Sequence, residues 1–356
     1  MKTSTILRSF ILLPLVTIGA SAMATYTESP DSTGRVVNPE NAASNAITGG
    51  SDSLTMVAGA TASALSAHGN AGQKGGGSSA GGFRIAGQNY MRATPTGIAG
   101  GETFNNLGLW GSYAYSDFDN DFSRTKYDGD RNMFFVGADF TPRDNMVLGL
   151  AIGYEDTSID TDFNLGQLDA DGWTIAPYFG MILNDTWSLD INAGWSDIDT
   201  DQDRSSGTIT SDYNTDRWFV SANVSGYTQV NNWSLSGRTG LMNAESEDDS
   251  FTESNGTVVN SRATLLTQFS LGGEAAYPMG DFEPYVTATY NYDLHATETV
   301  LTAGVQPSND DDDVLLGLGF RYFKDDNLSM SAQYDTRQGR SDFDEDTFSF
   351  NVRWDF

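Results

Sequence analysis

Histidine and cysteine, which carry most metal and redox chemistry in proteins, are nearly missing: the chain holds two His and no Cys in 356 residues. Asp293 and His295 stand two apart, so on a strand both side chains share a face. Such a pair can activate water when a further carboxylate faces it. None can be assigned to a facing strand from the sequence, and an unreactive histidine near a strand end explains the spacing more simply. Serines are abundant, and nothing singles one out as a nucleophile. Asp117, Asp119 and Asp121 alternate, as do Asp197, Asp199, Asp201 and Asp203. Neither run has the Gly at the sixth position that an EF-hand loop requires. Period-two spacing is also what a strand with one polar face produces, and Asp310 to Asp313 would gather divalent ions only loosely. The expectation is no catalytic residue, no metal site, no cofactor and no enzyme.

Composition narrows the setting. Net charge is −29, and a surface of that sign repels phosphate, which excludes nucleic acid as a partner. Acidic chains can be disordered, but an aromatic content of 12% argues against it. One apolar run stands out, from Phe10 to Gly19, and it is too short to span a bilayer as a helix. It follows Lys2 and Arg8 and precedes Ala22-Met23-Ala24, the pattern of a cleaved signal peptide over residues 1–24.

Residues 25–104 are rich in Gly, Ala, Ser, Thr and Asn, and Gly75 to Gly82 has the composition of a flexible linker. The spacing predicts one helix, from about Ser53 to Ala67. Asp52 can cap its start, Gly69 can end it, and Leu54, Val57, Thr61 and Leu65 share a face. This segment is expected to be partly disordered and to serve as a short passenger, a linker or a plug.

From about residue 105 to 356 the period becomes two. In the last segment Phe348, Phe350, Val352, Trp354 and Phe356 face one side, while Ser349, Asn351, Arg353 and Asp355 face the other. Twelve such segments fall near 106–118, 131–140, 146–157, 168–183, 186–198, 213–229, 233–245, 260–277, 283–295, 312–323, 328–338 and 345–356. Their connections alternate. Short turns at Pro142–Asn145, Asn184-Asp185, Asn231-Asn232, Met279–Asp281 and Asp325–Asn327 separate longer acidic loops near 119–130, 158–167, 199–212, 246–259, 296–311 and 339–344. An even strand count with short turns on one rim and long loops on the other predicts an all-β fold, a 12-stranded antiparallel transmembrane β-barrel. Strand twelve, ending at Phe356, is expected to finish in the periplasm, with the acidic loops extracellular.

A soluble sandwich or propeller would bury the apolar face instead. The second face, however, carries Gly149, Ala151, Gly153, Ala176, Gly180, Ser221, Asn223 and Ser225, from which no packed core can be built. Trp187 and Trp195 lie on the apolar face, and their spacing of eight residues spans about 20 Å of membrane height at ~3.3 Å per residue and a tilt near 40°. They fit two aromatic girdles, which Trp218 and Trp233 would join at the outer and inner rim. Arg238, Glu274, Arg321, Asp335 and Arg353 all fall on the polar, lumenal face, where they would pair with opposite charges, set ion preference or hold a plug.

The chain resembles the autotransporter β-domain family over about residues 100–356. The resemblance rests on Gly108-Leu109-Trp110-Gly111-Ser112-Tyr113 after a Gly-rich lead-in, on Ala176-Pro177-Tyr178-Phe179-Gly180, on Glu283-Pro284-Tyr285-Val286, on the ending Val352-Arg353-Trp354-Asp355-Phe356, and on the strand total. It implies a barrel in the outer membrane of a Gram-negative cell, in contact with lipid and lipopolysaccharide. It further implies assembly by the β-barrel assembly machinery with periplasmic chaperones, Phe350, Val352, Trp354 and Phe356 forming the assembly signal. A segment before strand one would thread the lumen and carry a passenger outward. Only about 80 residues separate the signal peptide from the barrel, and they show no repeat or protease triad. A minimal or absent passenger is therefore expected. The alternatives are a passive diffusion porin, a structural or adhesive surface protein, or a hydrolase at the rim. Asn105-Asn106 lies where some autotransporters cleave themselves, but the pair has no helical context and reads as a turn.

Overall fold

Runs of alternating residues become strands because a strand sends successive side chains to opposite faces, so one face can meet lipid while the other stays polar. The computed structural model describes residues 26–27, 52–53, 56–61, 64–65, 107–143, 145–297, 299–300, 308, 310–324 and 328–356. The expected signal peptide, the linker at 75–82, residues 83–104 and Asn105-Asn106 lie outside them.

The barrel strands are β1 (Leu107–Asn120), β2 (Tyr127–Arg143), β3 (Met146–Thr161), β4 (Gly166–Ile182), β5 (Trp187–Arg204) and β6 (Ile209–Val230). They continue with β7 (Trp233–Asp248), β8 (Arg262–Ala276), β9 (Phe282–Ala296), β10 (Asp312–Lys324), β11 (Leu328–Gln338) and β12 (Phe343–Asp355). Each pairs antiparallel with its sequence neighbours, and β12 pairs with β1 to close the barrel. Closure leaves no strand edge without a partner, which a sheet surrounded by lipid requires.

All twelve predicted strands are present, but several run further than expected at the rim of the long loops. β2 begins at Tyr127, β3 reaches Thr161, β5 reaches Arg204 and β6 begins at Ile209. The loops expected at 119–130, 158–167 and 199–212 are correspondingly short. Towards the long loops the outward face turns acidic while Phe118, Tyr127, Ile159, Leu168 and Ile198 still pack together inside, so the outward hydrophobic signal fades while the hydrogen-bond ladder continues. The loop after β7 holds a small hairpin, Phe251–Thr252 paired with Val258–Val259. Asn231 turns the tight β6–β7 connection with φ of 56°, a left-handed conformation that Asn tolerates.

Outside, the barrel is apolar: Phe134, Val136, Leu148, Leu150, Ile152, Leu241, Leu271, Leu316, Leu318 and Phe320 are all exposed. Inside, apolar side chains of several strands pack around helical residues from the N-terminal segment.

Candidate functional site: the barrel lumen and its helix

Residues 52–53, 56–61 and 64–65 are helical; all but Asp52, the expected cap, which is itself helical, lie within the predicted span. Ser53, Val57, Thr61, Ala64 and Leu65 are fully buried. Met56, Val57, Ala60, Ala64 and Leu65 form one cluster with Trp110, Ala114, Met133, Phe135, Val147, Ala151, Ala176, Tyr178, Phe219 and Ala244, which the strands point inward. The lumenal face therefore does contain large apolar residues, contrary to the expectation that it could not build a core. Glycines on neighbouring strands make room for them. A Cβ at Gly153 would collide with the Phe135 ring, and one at Gly149 with the Tyr178 ring. Judged strand by strand, this face looks too small; its bulk comes from pairing large residues with glycine across strands.

The helix has a direction. Asp52, at its start, accepts a hydrogen bond from Arg131 Nη1 at 3.0 Å, near the long-loop end of β2. Leu65, further along, lies over Gly180 near the short-turn end of β4, where an added Cβ would sit 2.7 Å from Leu65 Cδ1. Between them Thr61 Oγ1 stands 2.7 Å from Asn192 Oδ1 and 3.0 Å from the Val57 carbonyl, which share its one proton. The chain thus descends through the lumen from the long-loop rim towards the short-turn rim, where β1 begins.

Charged residues line the wall in pairs. Arg321 bonds Glu274 and, at 2.8 Å, Glu283, and its guanidinium lies 3.7 Å from the centre of the Tyr285 ring. Arg238 Nη2 reaches Asp190 Oδ2 at 2.9 Å, and Asn192 and Asn223 each donate to the same oxygen at 2.8 Å. Arg353 makes a two-pronged bond to Asp139 at 2.7 and 2.8 Å, and Asp335 accepts from Gln333 at 2.7 and 2.8 Å. Pairs that the sequence did not reveal include Arg217 with Glu155 at 2.8 Å and Arg337 with Asp313 at 2.9 Å. Their spacing in the chain exceeds any local pattern; the alternating face shows only that each points inward.

Trp187, Trp218 and Trp233 are 48%, 61% and 48% exposed on the outer surface. Trp195 sits directly across from Trp218, with ring centroids 6.3 Å apart, and Trp233 packs on Tyr277 at 5.1 Å near the short turns. Phe350, Trp354 and Phe356 face outward from β12 and are exposed, with Val352 partly covered between them. The backbone N–H of Phe356 donates to the Leu107 carbonyl at 3.0 Å. Asp293 accepts from Arg340 at 2.7 Å and from Gln268 at 2.8 Å, so the group facing it is a guanidinium. Among the described residues no group of three His, Asp or Glu is placed to hold a metal ion.

A closed twelve-stranded barrel with an apolar, aromatic-rimmed exterior and a lumen lined by charge pairs around a helix is a transmembrane β-barrel of the bacterial outer-membrane class. The family model described as the autotransporter β-domain matches residues 109–335, and the chain belongs to that family as a translocator barrel. No curated protein matches the chain. Among solved structures it is similar to the translocator domain of the autotransporter NalP from Neisseria meningitidis, with 15% identity, a TM-score of 0.61, and coverage of 71% of this chain and 89% of that one. The β-domain of the Bordetella autotransporter BrkA gives 16% identity and a TM-score of 0.60, over 70% of this chain and all of that one. The transport unit of AIDA-I from Escherichia coli gives 16% and 0.59, over 73% and 93%.

Proposed function

We propose that this barrel delivers the chain N-terminal to its lumen helix to the cell surface, with the acidic loops outside and the short turns in the periplasm. One observation carries the reading: the helix runs from Asp52, beside Arg131 at the long-loop rim, to Leu65, over Gly180 near the short-turn rim. A chain descending in that sense has its N-terminal part beyond the long loops. The backbone of Tyr26–Thr27 pairs in parallel with Thr299–Val300, in the long β9–β10 connection, which supports the same route. The cargo is then the segment N-terminal to the helix, and the role is passage, not catalysis. The guanidinium facing Asp293 favours a structural part for the Asp293–His295 pair.

In this reading Trp195 and Trp218 border the outer leaflet and its lipopolysaccharide, and Trp187 and Trp233 the inner leaflet. Phe350, Val352, Trp354 and Phe356 present the assembly machinery with an outward aromatic strand, after escort by periplasmic chaperones. Packing around the helix favours a plugged translocator over a diffusion pore. In planar bilayers the intact protein should conduct poorly, while a variant beginning at Gly100 should open a larger and steadier conductance. Equal conductance would place the helix outside the lumen and favour the porin reading.

A further inference from the structure

β12 and β1 are the one pair of barrel neighbours that no turn or loop joins, since they are the last and first strands of the barrel. Backbone pairing holds them from Phe343↔Asn120 to Asp355↔Gly108. Two neutral side-chain contacts, Ser112 with Asn351 and Ser116 with Thr347 at 2.9 Å, join the same two strands. Arg353 does something different. It stands opposite Trp110 on β1, yet its guanidinium runs diagonally across β1 and bonds Asp139 on β2 at 2.7 and 2.8 Å. Gly108, opposite Asp139, lies beneath this crossing. A Cβ there would collide with the guanidinium and sit 2.6 Å from Asp139 Oδ1.

We propose that the Arg353–Asp139 pair, threaded over Gly108, is a latch that holds the barrel seam shut. In an open sheet Arg353 belongs to one edge strand and Asp139 lies next to the opposite edge, so the bond exists only in the closed barrel. Each partner keeps a second contact that survives opening: Arg353 with Asp355 at 2.7 Å, and Asp139 with the Tyr178 hydroxyl at 2.8 Å. The open form therefore does not strand a bare charge, and closure gains a buried bidentate bond with side chains 3% and 0% exposed. Arg217–Glu155 and Arg321–Glu274 also bridge strands that are not neighbours, but neither spans the seam. The latch requires only the closed barrel, whatever the barrel transports.

The absence of native cysteine makes the test direct. Cysteine pairs at Tyr113 and Phe350, register partners across the seam, and at Ala193 and Val220, partners within β5–β6, report the two places separately. Full-length protein refolded in detergent is oxidised across a urea series. At intermediate urea, Arg353→Gln, Asp139→Asn and Gly108→Ala should each lower seam cross-linking by about tenfold or more, the scale expected when a buried pair loses one member. The β5–β6 cross-link should hold. Gly111→Ala should match the parent, because an added Cβ there meets only the Phe135 carbonyl oxygen at 3.8 Å. Arg353→Gln combined with Asp139→Asn should lose no more than the worse single change. Seam and internal cross-links falling together, additive losses in the double variant, or a double variant that fails to refold would each overturn the latch. A parent chain that fails to cross-link at the seam would contradict the closed barrel itself.

Discussion

Arg321 is among the most deeply buried side chains of the described residues, and it answers two carboxylates, Glu274 on β8 and Glu283 on β9. Burying three charges is tolerable only when each has a partner. Arg321→Ala leaves two buried carboxylates facing each other and should destabilise the refolded barrel by about 3–5 kcal/mol. Combining Arg321→Met with Glu274→Gln and Glu283→Gln removes all three charges together and should recover most of that loss, as read by the urea unfolding midpoint. A midpoint unchanged in Arg321→Ala would mean that the triad carries no stability. Residue parity alone places Arg238, Glu274, Arg321, Asp335 and Arg353 inside, because a strand has only two faces. The partners are a different matter. Arg353 and Asp139 are 214 positions apart, and their meeting depends on the summed register of the closing strands, which no local pattern contains. Trp110, Phe135, Tyr178 and Phe219 show the same limit, since each fits inside only because a glycine on another strand yields space.

At the level of elements, the β1–β7 strands extend past Trp195 and Trp218 towards the long loops and carry acids on their outward face. The register sets them directly opposite one another: Asp117 against Asp130, Asp119 against Asp128, Asp128 against Asp160, Asp171 against Asp199, Asp201 against Asp212. Like charges in such positions destabilise a strand pair, and salt screens them, with a Debye length of about 10 Å at 0.1 M and 3 Å at 1 M. Limited proteolysis of these hairpins should therefore slow as monovalent salt rises from low to near-molar concentration; a rate independent of salt would contradict this. The acidic runs were legible in the sequence as alternation, but where the strands ended was not, because the outward face turns acidic there and only isolated inward residues such as Tyr127 and Ile159 remain apolar. The helix was legible for the opposite reason: a short acidic residue at its start and an apolar stripe at helical spacing precede any tertiary information. Its seat was only partly so, although Gly180 stood out as small. Gly180→Leu removes the space that Leu65 occupies and should raise the conductance of the intact protein in planar bilayers towards that of the variant beginning at Gly100. Conductance as low as the parent's would show that the helix does not depend on that contact.

For the whole molecule, twelve strands and their order follow from the period-two pattern, and the family model and three solved autotransporter barrels agree with that architecture. The proposed assembly signal is the last strand, where the Phe356 N–H donates to the Leu107 carbonyl. Phe356→Asp should lower the amount of heat-modifiable, folded barrel in the outer membrane several-fold; an undiminished yield would remove the terminal residue from assembly. In the proposed route the lumen helix belongs to a chain whose N-terminal part lies outside the cell. Single cysteines at Glu40, Asn255 and Asn231, each introduced into the otherwise cysteine-free chain, test it with a membrane-impermeant maleimide on intact cells. Glu40→Cys and Asn255→Cys should react on intact cells, and Asn231→Cys only after permeabilisation. A Glu40→Cys that stays silent until the membrane is breached, while Asn255→Cys reacts, would contradict surface delivery of the N-terminal segment.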